Sequence, residues 1–143
     1  MTFEELNLVR RIKKQIADEN KKLKALELVI ESFPHRYGKS QSGGSSGGVA
    51  KSAFEIFLIE STDCASRIEN LQMQLREEVP KLTMKIQKNF SDSTEQTLLI
   101  YRYVACKFFK EISFLMGYSE RRIYKIHAKI IKKVQSSSVE CSR

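Results

Sequence analysis

Apolar residues recur every three or four positions along the first thirty residues, and charged residues fill the gaps between them. The apolar positions are Leu6, Val9, Ile12, Ile16, Leu23, Leu26 and Ile30. This spacing places them on one narrow stripe of a helix, close to the heptad pattern of a coiled coil. Thr2 and Glu5 have the spacing of a capping box at its start. A helix over residues 3–33 would be about 45 Å long, and so narrow a stripe requires a packing partner.

A second apolar series of the same kind begins after Ser52 and Glu55, another capping-box pair. Its members are Phe54, Phe57, Leu58, Cys64, Ala65, Ile68, Leu71, Leu75 and Val79. The intervening residues 34–51 are rich in Gly and Ser, the composition of a flexible linker. The alternative, a phosphate-cradling loop, lacks the terminal Gly-Lys-Ser/Thr and a preceding strand. The sequence thus predicts an antiparallel, coiled-coil-like hairpin over residues 1–79, paired within one chain or between two chains, for oligomerisation or contact with a partner.

Residues 80–135 contain shorter apolar series that are separated by breaks. Pro80 is expected to kink or restart the second helix. Asp92 and Glu95 have the spacing of a further cap pair, and residues 136–143 are Ser-rich, which predicts a disordered tail. No segment has the pattern of a strand. The predicted fold class is therefore all-α, with an N-terminal long-helix hairpin followed by a C-terminal helical bundle.

Within that bundle, residues 109–128 have the spacing of a helix-turn-helix. Gly117 would supply the positive φ of a tight turn, and Ser113 the small side chain where two short helices cross. Ser119 stands where the second helix needs an N-cap. The apolar core between the two helices would comprise Ile112, Met116, Tyr118, Ile123 and Ile126. This pattern predicts a recognition helix at residues 119–134 that enters the major groove of double-stranded DNA.

The charge distribution agrees with that prediction. The chain has 143 residues and a formal net charge of +8. Residues 91–143 hold ten Lys and Arg against five Asp and Glu, a surplus of five, whereas residues 51–90 are balanced at six against six. A basic surplus suits a polyanionic partner. In the first helix, basic and acidic residues alternate, which favours the flank of a coiled coil over an extension of a DNA footprint.

The predicted DNA-contacting residues fall into two groups. Side chains early on the exposed face of the recognition helix would reach base edges; these are Glu120, Arg121, Tyr124, Lys125 and Ala128. Flanking side chains would bind phosphate; these are Lys107, Lys110, Ser119, Arg122, Lys129, Lys132 and Lys133. The alternative for both groups is the solvated face of an amphipathic helix.

The chemistry-bearing residues are few and scattered. The two distant histidines and three separated cysteines do not have the spacing of metal ligands, and no catalytic arrangement is indicated. We therefore expect no enzyme, no cofactor, no metal and no small-molecule substrate, and we expect His127 to be hydrogen-bonded or partly buried. Sparse, unpaired cysteines favour reduced thiols in a cytoplasm. No apolar run is long enough to cross a membrane, so a cytoplasmic protein without a membrane partner is predicted.

The C-terminal half also resembles a known family. Its matching segments are Leu99, Arg102-Tyr103-Val104, Glu111-Ile112, Leu115-Met116-Gly117-Tyr118-Ser119 and Ile123-Tyr124-Lys125-Ile126-His127. Over roughly residues 81–134 they resemble the region-4-like domain of bacterial sigma factors, and more closely small regulators of Gram-positive phages and prophages of the ArpU and RinA type. Phe108-Phe109 departs from that pattern, since the family often has a small or polar residue before an aromatic one.

The resemblance implies a transcriptional regulator of phage or prophage genes that acts on double-stranded DNA, with host RNA polymerase as a further partner. One recognition helix reads few base pairs, so a homodimer is expected. Two other functions remain open. One is a DNA-binding subunit of a phage packaging machine, which would form a ring of subunits, and the other is a helical adaptor that binds an acidic protein and no DNA.

Overall fold

The computed structural model of the protein describes residues 1–33 and 52–141, with side chains in the second range up to residue 137. The predicted linker at residues 34–51 lies outside the described residues, as do residues 142–143. The described residues form five α-helices and one π-helical turn and contain no strand. The prediction of an all-α protein is confirmed.

The helices run in chain order as α1 (Phe3–Ser32), α2 (Ala53–Asn89), α3 (Ser93–Leu99), a π-helical turn (Ile100–Val104), α4 (Phe109–Met116) and α5 (Glu120–Cys141). The prediction of a disordered tail from residue 136 was wrong for the described part, since α5 continues to Cys141. The hydroxyl of Ser136 donates to the carbonyl of Lys132, 2.9 Å away and four residues back. This bond satisfies the serine hydroxyl within the helix. The helix therefore continues through the Ser-rich segment.

Helix α2 continues through Pro80, so of the two expected effects of the proline, a kink or a restart, the restart is wrong. The predicted domain boundary at residues 79/80 therefore falls inside one helix. Proline inside a helix costs about 3 kcal/mol, because it removes one hydrogen bond and crowds the preceding turn. Downstream of it, Leu82 and Ile86 are 4% and 0% exposed. Burying two such side chains stabilises the helix by about 1.5–3 kcal/mol each, which offsets the proline.

The described residues between 14 and 72, which are 14–33 and 52–72, form one compact unit. It contains the C-terminal part of α1 and the N-terminal part of α2, which pack antiparallel. Phe33 lies against Phe54 with ring centroids 5.4 Å apart. Further along the pair, Oε2 of Glu19 lies 3.1 Å from Sγ of Cys64 and 3.3 Å from Nε of Arg67. The antiparallel hairpin predicted from the two apolar series is thus present in this unit.

Residues 1–13 and 73–143 form the other compact unit. Its buried core draws on each helix of the described part of the chain. The core residues are Leu6, Val9, Leu82, Ile86, Phe90, Leu98, Leu99, Tyr103, Ile112, Ile123, Ile130 and Val134. The first three turns of α1 therefore belong to the same core as α4 and α5. None of the helices in the described part of the chain is long and apolar enough to cross a membrane.

Candidate nucleic-acid interface

The turn between α4 and α5 is built on Gly117, whose φ is +73°. This is the left-handed region that residues with a Cβ adopt at a cost. The amides of Gly117 and Tyr118 both donate to the carbonyl of Ser113, which ends α4 in the manner of a left-handed helix cap. No atom lies within 4 Å of the position that a Cβ on Gly117 would take. Glycine is therefore required by the backbone conformation and not by crowding.

Ser119 fixes the start of α5. Its Oγ accepts a hydrogen bond of 3.3 Å from the amide of Arg122, and its carbonyl accepts one of 3.1 Å from the amide of Ile123. The side chain thus caps one of the free amides at the helix start. Ile123 and Ile130 are 0% exposed and Val134 is 2% exposed. These three buried positions fix which side of α5 faces the core.

The opposite side of α5 is exposed and mostly basic. At 3.6 residues per turn, the residues opposite the buried stripe are Arg121, Lys125, Ala128 and Lys132, all of them exposed. Glu120 and Tyr124 border this face on one side, and Arg122, Lys129 and Lys133 border it on the other. The structure therefore exposes all five residues predicted to reach bases and places them on one face of one helix. The seven residues predicted to bind phosphate are also exposed.

Lys133 differs from the other predicted phosphate-binding residues because its ammonium already has a partner. Its Nζ donates to Oε1 of Glu95 at 2.7 Å, and the Glu95 side chain is only 8% exposed. The pair joins α3 to α5, so Lys133 satisfies a buried carboxylate. Sequence reasoning missed it because Glu95 stands three residues after Asp92 and resembled a cap partner. Asp92 does cap α3, accepting from the amide of Thr94.

Two aromatic contacts position the side chains that border the exposed face. The guanidinium of Arg122 lies 4.3 Å from the centroid of the Tyr118 ring, a cation–π contact. Tyr124 is 52% exposed and packs against Phe109, with ring centroids 4.6 Å apart. Tyr124 is therefore positioned by α4 while its outer edge stays accessible. A preorganised side chain of this kind loses little conformational entropy on binding.

His127 is partly buried and hydrogen-bonded, as predicted. Its Nε2 and the hydroxyl of Tyr103 share a hydrogen bond of 2.6 Å, and its ring packs edge-on against Phe109 at 4.9 Å. Burial lowers the pKa of His127, and the nearby positive charges of Arg102 and Arg10 lower it further. Burial also raises the pKa of the Tyr103 hydroxyl. Both groups are held neutral, which suits a structural pair between the π-helical turn and α5.

Lys107 and Lys110 lie beside apolar surface. Together with Glu111, Phe114 and Leu115 they line one groove at the surface. Phe114 is 90% exposed. Both lysines are exposed, so a phosphate could reach them beside this apolar surface.

Three basic residues near the helix-turn-helix were not among the predicted site residues. Arg102 comes from the π-helical turn, and Arg10 and Lys13 come from α1. The ammonium of Lys13 donates to the carbonyl of Val104 at 2.8 Å, which ties α1 to the end of the π-helical turn. No local sequence pattern places these three residues here, because Arg10 and Lys13 reach the π-helical turn through tertiary packing.

Among the described residues, no three His, Cys, Asp or Glu side chains are grouped closely enough to hold a metal ion. The described surface offers charge and hydrogen-bond donors, which are the groups that bind nucleic acid. Comparison of the chain with protein-family models, with curated proteins and with solved structures finds no match.

Proposed function

We propose that the protein binds double-stranded DNA with the N-terminal half of α5 in the major groove. The observation that carries this proposal is the outward face of α5, on which Arg121, Lys125 and Lys132 stand opposite the buried stripe. An α-helix with a glycine-hinged partner helix can enter a major groove and present such a face to base edges. The buried stripe keeps the face in one orientation.

The roles within the face follow from position. Arg121 is in the first turn, where side chains of a recognition helix reach bases, and its guanidinium can donate two hydrogen bonds to guanine. Lys129 and Lys132 are two to three turns further along, where they would reach the phosphate backbone. Lys133 takes no primary part in this proposal because it is bonded to Glu95.

We further propose that the DNA binding regulates transcription of phage or prophage genes inside a bacterial cytoplasm. This part rests on the resemblance of residues 81–134 to regulators of the ArpU and RinA type. A homodimer would supply two recognition helices and so a longer site, and host RNA polymerase would be the protein partner.

Two substitutions on α5 test the division of roles. Arg121→Ala should weaken binding to the preferred duplex by about 1–3 kcal/mol and relax the preference at one base pair. Lys132→Ala should weaken binding to preferred and unrelated duplexes by the same factor. The sites are found by selection from a random duplex library and affinities are measured by fluorescence anisotropy.

Lys88→Ala is the matched control, since Lys88 is an exposed lysine on α2 outside the helix-turn-helix. Its affinities should equal those of the wild type. If Arg121→Ala and Lys132→Ala both behave like Lys88→Ala, α5 does not contact DNA and the proposal is wrong.

A further inference from the structure

Three cations from two parts of the chain lie around the π-helical turn. Arg102 stacks its guanidinium on Phe109, 4.2 Å from the ring centroid, and its Nη1 donates to the carbonyl of Lys107 at 3.0 Å. The guanidinium of Arg10 lies 5.9 Å from the centroid of the Tyr103 ring, the residue next to Arg102. Lys13 is bonded to the carbonyl of Val104 in the same turn.

The three residues Arg10, Lys13 and Arg102 form a basic cluster without an ion-pair partner. Within the described parts of the chain, none of the three has a carboxylate oxygen within 4 Å. Nε of Arg102 is buried without a hydrogen-bond partner. Burial lowers the pKa of Arg102, and the neighbouring charge of Arg10 lowers it further. Like charges held together in this way repel one another, and an anion placed among them would relieve the repulsion.

The basic cluster lies next to the face of α5. The ring of Phe109 contacts both Arg102 and Tyr124. The ring centroids of Phe109 and Tyr124 are 4.6 Å apart. One aromatic ring therefore separates the cluster from the border of the recognition face. When a helix occupies a major groove, the phosphates at the groove edge lie beside it and take contacts from flanking elements.

We propose that the basic cluster binds a phosphodiester group of the same duplex, so that the first turns of α1 extend the DNA footprint. The inference rests on the proposed DNA binding and adds a second element to it. It differs from the expectation that the cations of α1 flank a coiled coil. At 3.6 residues per turn, Arg10 and Lys13 lie on the flank of α1 beside its buried stripe, whereas Arg11 lies on the opposite, exposed side.

Substitution of two neighbouring arginines tests the inference. Arg10→Gln should make the plot of log affinity against log salt concentration shallower by about 0.9, the share of one phosphate contact. It should lower the affinity for preferred and unrelated duplexes by the same factor. Arg11→Gln removes the same charge from the next position and should keep the slope of the wild type, because Arg11 lies on the opposite side of α1, where it donates to the carbonyl of Glu4. Equal slopes for the wild type and both variants would overturn the inference.

A measurement on the unaltered protein keeps the test valid if Arg10→Gln folds poorly. Arginines are modified with phenylglyoxal, with and without a duplex, and the modified residues are located by mass spectrometry. The duplex should protect Arg10 several-fold and leave Arg11 unprotected. Equal reactivity of Arg10 with and without DNA overturns the inference, and so does protection by inorganic phosphate that matches protection by the duplex.

The outcomes also separate this inference from the proposed function. If the wild type binds no duplex at any salt concentration, the proposed DNA binding fails and the phosphate site fails with it. If the wild type binds, Arg121→Ala weakens it and Arg10→Gln behaves like Arg11→Gln, only the phosphate site is wrong.

Discussion

The pair of Tyr103 and His127 makes the stability of the protein depend on pH near neutrality. Burial, followed by the charges of Arg102 and Arg10, lowers the pKa of His127 in the folded state. In the unfolded chain the pKa returns to about 6.5. Between these two values the unfolded state binds more protons than the folded state, so the free energy of unfolding rises with pH. The contribution is fully present above about pH 6.5 and is lost as the pH falls below it.

The size of the pH effect follows from the linkage between proton binding by His127 and unfolding. Lowering the pH from 7.5 to 5.5 across an unfolded pKa of about 6.5 removes at most about 1.4 kcal/mol, reached if His127 stays neutral in the folded state throughout. His127→Gln removes the titrating group. The difference in unfolding free energy between wild type and variant should therefore shrink by up to that amount over the same interval.

Urea unfolding at half-unit pH steps from 5.5 to 7.5 measures this difference. Tyr103→Phe is the informative companion, because it removes the hydroxyl 2.6 Å from Nε2 and leaves the imidazole covered. It should lower stability by about 1 kcal/mol and keep the pH dependence, since burial is the first cause of the lowered pKa. A pH dependence that is identical in wild type and His127→Gln, or one that Tyr103→Phe abolishes, would refute the reasoning.

Three further predictions concern the helix-turn-helix, each checked by urea unfolding at pH 7. Ile123→Ala should lower the free energy of unfolding by about 2–5 kcal/mol, because the side chain is 0% exposed and its removal leaves a cavity. Phe114→Ala, at a side chain that is 90% exposed, should change it by no more than about 0.5 kcal/mol. Equal losses in the two variants would contradict the assigned core. Gly117→Ala should cost about 1–2 kcal/mol, the conformational penalty at a φ of +73°, and a neutral result would argue against the left-handed turn. Ser119→Ala should cost about 1 kcal/mol through loss of the cap on the Arg122 amide, and Ser119→Asp should restore most of it.

The helix-turn-helix was predictable from sequence because its determinants are local. Gly117 and Ser119 specify the turn and the cap through their own backbone and side chain. The burial of Ile112 and Ile123 follows from helical periodicity alone. The all-α fold class and the capping box at the start of α1 were predictable for the same reason. The hydroxyl of Thr2 accepts from the amide of Glu5 at 3.1 Å, and the carboxylate of Glu5 accepts from the amide of Thr2 at 2.9 Å.

Contacts between distant residues left no such signal. Glu95 has the spacing of a cap partner whether it caps α3 or bonds Lys133, which is 38 residues away. The apolar series of α1 looks uniform, yet its first part joins the core of the helix-turn-helix while residues from 14 onward pack in the other unit. Lys13, 91 residues from Val104, could not be placed beside the π-helical turn by periodicity. Such choices are made by tertiary packing, which local patterns do not encode.

The central claim is that the exposed face of α5 binds the phosphate backbone and bases of duplex DNA. Fluorescence anisotropy with a labelled duplex of random sequence, at 50 and 200 mM salt, tests it most directly. The three cations of α5 that are assigned to phosphate, Arg122, Lys129 and Lys132, predict a salt slope near −2.7 and an affinity about 40-fold lower at the higher salt concentration. Binding that is absent at 50 mM salt, or that changes less than about threefold between the two conditions, would contradict the account.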